Sequence, residues 1–182
     1  MSGIEIAVIM AWLLFWLYWL ASAFSRKRAR VAWARELVIR VVLGGVVVFL
    51  AQVGALQGYG VRRELWQILV GLTLLLLGQG FAIWARLNIG QNWGSPMSRK
   101  EDPDLVTSGP YALVRHPIYS GLVLALVGTA TALTWTWLYA AGLATIYFTY
   151  SAFVEERYMT TCFPETYPSY KRMTKRFIPF VL

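Results

Sequence analysis

The sequence predicts an all-α, polytopic membrane protein with about five transmembrane helices, its N-terminus outside and its C-terminus cytoplasmic. Three observations lead there: composition, recurring apolar runs, and the placement of the basic residues. Hydrophobic residues make up 58% of the 182 and charged residues only 14%, where soluble domains carry about a quarter charged. A soluble fold of this size could not hide that much apolar surface, but a bilayer is itself an apolar solvent. Nine Trp and ten Tyr suit the belts where aromatic rings meet lipid headgroups.

A helix needs roughly 20 apolar residues to cross the hydrocarbon core. The first predicted span is Ile4 to Phe24, interrupted only by Glu5 near its outer end, and the run Arg26, Lys27, Arg28, Arg30 stops it. With no basic region ahead of it, this run reads as a retained helix rather than a signal peptide. The second span is about Leu37 to Leu56, with Arg35, Glu36 and Arg40 at its interfacial start. After the turn Gln57-Gly58-Tyr59-Gly60, the third is Leu65 to about Leu87, where Gly78, Gln79 and Gly80 predict close packing and a polar interhelical contact. Residues 88–116 form a long polar connector, of the kind that often carries function. The fourth span is Pro117 to about Leu133 and the fifth Leu138 to about Phe153. Only Thr134-Trp135-Thr136-Trp137 separates them, predicting a tight hairpin with both tryptophans at the far interface. From Glu155 the chain reads as a polar, aromatic tail. The organisation divides into a three-span part, 1–87, and a connector–hairpin–tail part, 88–182.

Orientation follows from charge. With the loop after the first span placed inside, 15 of the 17 Lys and Arg residues are cytoplasmic, and only Arg62 and Arg63 are outside. This obeys the positive-inside rule and predicts an inner-membrane protein whose connector and tail share the cytoplasmic face. The net charge of +8 is accounted for by orientation and anionic lipid. No nucleic-acid-binding motif accompanies it. Cys162 and His116 are the only cysteine and histidine. No intramolecular disulfide, cysteine-built metal site or paired-histidine zinc motif is possible.

Three clusters on the predicted cytoplasmic face carry candidate chemistry. They are Gly90-Gln91-Asn92-Trp93; Leu105-Val106-Thr107-Ser108-Gly109-Pro110-Tyr111 with Arg115-His116-Pro117-Ile118-Tyr119-Ser120-Gly121; and Glu155-Glu156 with Tyr167, Tyr170, Lys171 and Arg176-Phe177-Ile178-Pro179. Pro117 suits the first turn of a helix, where its missing N–H is not needed. Arg115 and His116 then sit at that helix's mouth, and Gly121, on the face of Pro117, admits a ligand or another backbone. The bland alternative is Arg at a headgroup, His capping a helix and Gly packing. Paired carboxylates closing an apolar helix are costly unless solvated, paired or coordinated. They point about 100° apart, with Glu155 expected to face the bundle. Tyr111, Tyr119, Tyr167 and Tyr170 either anchor the interface or line an aromatic pocket suited to a sulfonium or quaternary ammonium.

The Leu-Val-x-x-Gly-x-Tyr and Arg-His-Pro-x-Tyr-x-Gly runs, the Glu-Glu pair and the terminal Tyr-x-x-Tyr and Arg-Phe-x-Pro elements resemble the isoprenylcysteine carboxyl methyltransferases, within the wider group that includes phospholipid methyltransferases. The resemblance covers roughly residues 88–182. It implies S-adenosylmethionine as cofactor, bound between the last two spans and the connector, and a lipophilic small-molecule or lipid substrate reached from the bilayer. Carried over by position, it implies cofactor contacts at Leu105, Val106, Tyr111, His116, Pro117, Tyr119 and Glu155. Arg115, His116 and Glu156 become the candidates for catalysis, with His116, Glu155 or Glu156 as base for an amine or thiol acceptor. Asn92 and Trp93 match an Asn-Trp element of the family. Members acting on prenylcysteine carboxylates carry Arg four residues before the cofactor glutamate; here Ser151 stands there, and a carboxylate acceptor loses that partner. The competing readings are an NADPH-dependent membrane reductase of the sterol-reductase type and a non-catalytic lipid-binding membrane protein.

Overall fold

The computed structural model describes residues 2–23, 29–30, 63–94, 99–100 and 103–179. The predicted second span, its interfacial charges, Gly44-Gly45 and the turn at 57–60 lie outside the described residues. Five helices are described: α1 (Gly3–Ala23), α2 (Leu65–Ile89), α3 (Pro117–Ala132), α4 (Trp137–Cys162) and α5 (Tyr167–Met173). Three of them, α1, α2 and α4, are long and apolar enough to cross a membrane. Helix α3, the predicted fourth span, has 16 residues and extends only about 24 Å.

Local chemistry sets the helix ends. Glu5, the one charge in the first predicted span, belongs to a capping box: Ser2 N–H donates to Glu5 Oε2 at 2.7 Å and Glu5 N–H to Ser2 Oγ at 3.3 Å. Helix α2 stops at Gly90, whose φ of 53° is the left-handed conformation that glycine accepts without penalty. The chain then makes a 3-10 turn, Gly90–Asn92, and a second turn, Gly109–Ala112, leads to α3. A two-residue antiparallel ladder, β1 (Ala29–Arg30) with β2 (Arg99–Lys100), sets Ala29 opposite Lys100.

Helices α2 and α3 pack backbone to backbone. A Cβ added at Gly78 would lie 2.5 Å from Ala125 N and Gly121 O, and one at Gly121 would lie 2.5 Å from Gly78 O. The two readings of Gly121 thus resolve: it admits another backbone. Gly71 and Gly128 repeat the contact about two turns further along. In lipid no hydrophobic force drives helices together, so close dispersion contact of this kind is the main attraction. Leu75, Val8, Ala125 and Ala132 form the buried core, and the Trp12 indole N–H donates to the fully buried Thr129 hydroxyl at 3.1 Å. The expectation for Gln79 was partly wrong. It is buried, but its Nε2 has no hydrogen-bond partner, and Gly80 faces open space.

At the end of α3 remote from the connector, the Arg63 guanidinium donates to Leu133 O at 2.8 Å and lies 4.8 Å from the Trp135 ring. It thereby satisfies a carbonyl the helix end leaves free. At the opposite end, segment 174–177 runs alongside the start of α3. Arg115 N–H donates to Lys175 O at 2.8 Å, His116 N–H to Arg176 O at 3.1 Å, and Ser120 Oγ to Phe177 O at 2.7 Å. Connector, α3 mouth and tail thus share one face, as the sequence predicted.

Helix α4 departs most from expectation. It does not fray near Phe153 but continues to Cys162, so Glu155 and Glu156 lie inside it. The Glu156 charge is neutralised by Arg115, Lys171 and Arg176, residues distant in sequence that local patterning cannot reveal.

Candidate active site

Helix α3 brings His116 and Tyr119 to the mouth, α4 brings Glu155 and Glu156, and the tail brings Lys171 and Arg176. Tyr119 Oη donates to Glu155 Oε1 at 2.5 Å, and His116 Nδ1 lies 3.5 Å from Glu155 Oε2. His116 and Tyr119 stack at 5.4 Å and 2° between planes; Tyr119 stacks on Phe148 at 4.4 Å and 8°. The three rings form a continuous wall from the polar mouth into the apolar interior.

Glu156 has a different environment. Its side chain is 3% exposed. Oε1 accepts from Arg115 Nε at 3.0 Å and Arg176 Nε at 2.9 Å; Oε2 accepts from Arg176 Nη2 at 3.1 Å and pairs with Lys171 Nζ at 3.0 Å. Arg115 also donates to the carbonyls of Lys171 and Thr174. Three cations occupy the carboxylate, so Glu156 joins α3, α4 and the tail. That arrangement leaves it poorly placed as a base. Glu155 faces the cavity as expected, at 26% exposure, but Glu156 is not turned to the exterior: it is the more deeply buried of the two.

Titration follows these contacts. Burial pulls the His116 imidazole down, but hydrogen bonds and charge from Glu155 and Glu156 outweigh it and hold the group above its ordinary value. Burial, then Tyr170 and Glu155, push the Tyr111 phenol up. Tyr170, which donates to Tyr111 O at 2.6 Å, is pushed up to about 12, chiefly by burial. These phenols remain neutral donors at any ordinary pH.

A cavity of about 540 Å³ opens beside this cluster, within the range of small-molecule sites. Of the residues singled out in the sequence, Leu105, Val106, Tyr111, Arg115, His116, Tyr119 and Glu155 line it, as do Tyr167 and Tyr170. Pro117 is not on the wall; it is fully buried and starts α3. Glu156 is not on the wall either. Sequence reasoning missed Asp104, which exchanges two hydrogen bonds with Asn92 at 2.9 and 3.3 Å, and Tyr147, Phe148, Tyr158 and Met159 of α4. It also missed Trp16, Trp19 and Leu20 of α1. The available signal was spacing: positions 16, 19 and 20 share a helical face, as do 148, 155 and 159. Among the described residues no His, Cys, Asp and Glu group could hold a metal ion.

Residues 66–166 match the family model described as phospholipid methyltransferase. The chain belongs to this family. Similar proteins include protein-S-isoprenylcysteine O-methyltransferase B of Arabidopsis thaliana, 30% identical over 127 residues, which are 67% of this chain and 64% of that one. The corresponding methyltransferase of Schizosaccharomyces pombe is 32% identical over 60% of this chain and 48% of its own. The cobalt-zinc-cadmium resistance protein CzcN of Cupriavidus metallidurans is 33% identical over 77% and 63%. The chain thus spans between about half and two thirds of the length of these relatives. The likeness to isoprenylcysteine methyltransferases read from the sequence motifs is supported, and the methyltransferase family match covers α2 to α4 and the whole connector.

Proposed function

We propose that this chain transfers a methyl group from S-adenosylmethionine to a lipophilic acceptor at the cytoplasmic face of the inner membrane, with 88–182 as its catalytic part. One observation carries the reading. A carboxylate, Glu155, an imidazole, His116, and the phenols of Tyr111, Tyr119, Tyr167 and Tyr170 converge on one end of a largely apolar cavity.

This donor set fits the cofactor. A sulfonium and an ammonium are cations, and carboxylates and aromatic faces accommodate them. His116 lies between the two carboxylates, with Nδ1 3.5 Å from Glu155 Oε2 and Nε2 3.5 Å from Glu156 Oε1, so this end of the cavity is both anionic and aromatic. Leu105, Val106, Tyr111, His116, Tyr119 and Glu155 would hold the group, while Pro117 fixes where α3 begins. When bound, S-adenosylmethionine supplies an electrophilic methyl on a sulfonium sulfur. The protein's own task is alignment more than strong acid–base work. The Tyr119 hydrogen bond fixes the Glu155 carboxylate, and the apolar wall excludes water. With an amine or thiol acceptor, the His116 imidazole in its neutral form is the group that would take the proton; a carboxylate acceptor needs none removed. Arg115 and Glu156 hold His116 and the tail in register.

The test is calorimetric binding of S-adenosylhomocysteine and of NADPH to purified protein, in wild type and Glu155→Ala. Binding of S-adenosylhomocysteine that the variant loses supports methyl transfer. Binding of NADPH alone would overturn it in favour of a reductase.

A further inference from the structure

We propose that α1 supplies the acceptor half of the cavity, with Trp16, Trp19 and Leu20 as specificity-determining contacts for the acceptor's uncharged apolar part. This rests on the methyl-transfer reading of the same cavity.

The cavity has a polar end and an apolar end. Its charged lining residues, Asp104, Arg115, His116 and Glu155, come from the connector and from α4. Tyr147 and Phe148 precede Glu155 by seven or eight positions, so on a helix they lie about 10–12 Å deeper. Trp16 precedes the end of α1 by seven positions and reaches a similar depth. Trp16 therefore faces the region beyond the charged cluster, where hydrocarbon is accommodated without desolvating any polar group, while Trp19 and Leu20, three or four residues from the end of α1, line the way to it from the mouth.

The α1 wall is held rigidly. Trp12 is hydrogen-bonded to the buried Thr129 at 3.1 Å, and Ser22 O accepts from Arg86 Nη2 at 2.5 Å. The cavity-lining positions lie between these two anchors. The edge of Trp19 meets the Trp93 ring at 5.6 Å, and the Arg86 guanidinium lies 4.8 Å from that same ring. Arg86 is a positioning residue here: it fixes the end of α1 and the ring against which Trp19 packs. Trp16 is 48% exposed and Leu20 64%, so both have side-chain surface free to meet a ligand. The family match begins at residue 66, and α1 precedes it. Acceptor choice is thus assigned to a segment outside the region that makes the chain a family member.

The experiment uses the full chain in lipid nanodiscs and three probes: decanethiol, decylamine and decanoic acid, each with a diazirine at the far end of its chain. Photocrosslinks are mapped by mass spectrometry, and S-adenosylhomocysteine affinity is measured in parallel. At least one probe is expected to label the α1 peptide containing Trp16 to Leu20, and to be displaced by its unlabelled form. Trp16→Ala with Trp19→Ala should weaken that probe by about tenfold or more, equivalent to ~1.4 kcal/mol, with S-adenosylhomocysteine affinity retained. The milder Trp19→Phe and Leu20→Ala guard against a folding defect and should shift the probe in the same direction. Trp66→Ala, at a residue 61% exposed on α2, should change neither. Crosslinks confined to α3 and α4, or probe affinity unchanged in the α1 variants, would overturn the proposal. Failure of wild type to bind S-adenosylhomocysteine would instead count against methyl transfer, since the crosslinks are read independently.

Discussion

The Tyr119 hydroxyl donates to Glu155 Oε1 at 2.5 Å, joining the first turn of α3 to the inner end of α4 across the mouth of the cavity. A charge-assisted hydrogen bond contributes roughly 1.5–3 kcal/mol when both partners are shielded from water. Tyr119→Phe should leave Glu155 charged but loosely aimed. S-adenosylhomocysteine affinity is expected to fall by about tenfold or more. Glu155→Gln, which removes the charge itself, should fall further. Calorimetry on the two variants checks the order. Equal loss in both would mean that orientation, and not charge, carries the contact.

Glu156 and its partners predict opposite outcomes for residues in one cluster. Glu156→Ala leaves Arg115 and Arg176 facing each other without their carboxylate, and breaking a buried pair from one side costs about 3–5 kcal/mol. Lys171 contacts the same carboxylate but is 47% exposed, and an exposed partner contributes about 0–1 kcal/mol. Thermal unfolding in detergent should show a large drop for the first variant and almost none for Lys171→Ala.

The raised His116 group gives a pH dependence with a definite sign. Its folded value lies above the unfolded one, about 6.5. The stabilisation it contributes is therefore complete below about 6.5 and lost as pH rises through the folded value. The stability gap between wild type and His116→Gln should be widest in mild acid and close as pH rises. For an amine or thiol acceptor the rate should move the other way, climbing as the imidazole deprotonates. A gap that widens with pH would contradict the assignment.

Neighbouring glycines of α2 should respond differently to the same change. Gly78→Ala places a methyl 2.5 Å from α3 backbone, and such overpacking costs about 1–3 kcal/mol. At Gly80 nothing lies within 4 Å of the added atom, so Gly80→Ala should be neutral or slightly stabilising. Unfolding midpoints of the two variants, measured side by side, decide it.

Much of this was legible in the sequence because its signals are local. Apolar length marked α1, α2, α3 and most of α4, and Pro117 marked the first residue of α3. The tyrosines and His116 were found because their residue types are matched to a cation. What was not legible depended on distant partners. Glu155-Glu156 reads as a helix end until Arg115, 41 positions earlier than Glu156, and Arg176, 20 later, are seen to pair with it. The same blindness affected the choice between the two carboxylates: helical geometry set them 100° apart without saying which side held the cations. Gln79 was expected to find a polar contact, but its Nε2 has none. Trp16 and Trp19 carried a visible spacing, yet interfacial anchors on the lipid face have the same spacing.

Segment 174–177, hydrogen-bonded alongside the mouth of α3, has a consequence for biosynthesis. The chain is made in order, so every described membrane helix is complete before the residues that brace Arg115 and His116 leave the ribosome. Insertion and site assembly are thus separate events, the second waiting on the first. A chain cut before Thr174 should insert normally yet leave the cavity mouth unbraced, and a tag fused close behind Pro179 would sit beside the site, where one ahead of Ser2 would not.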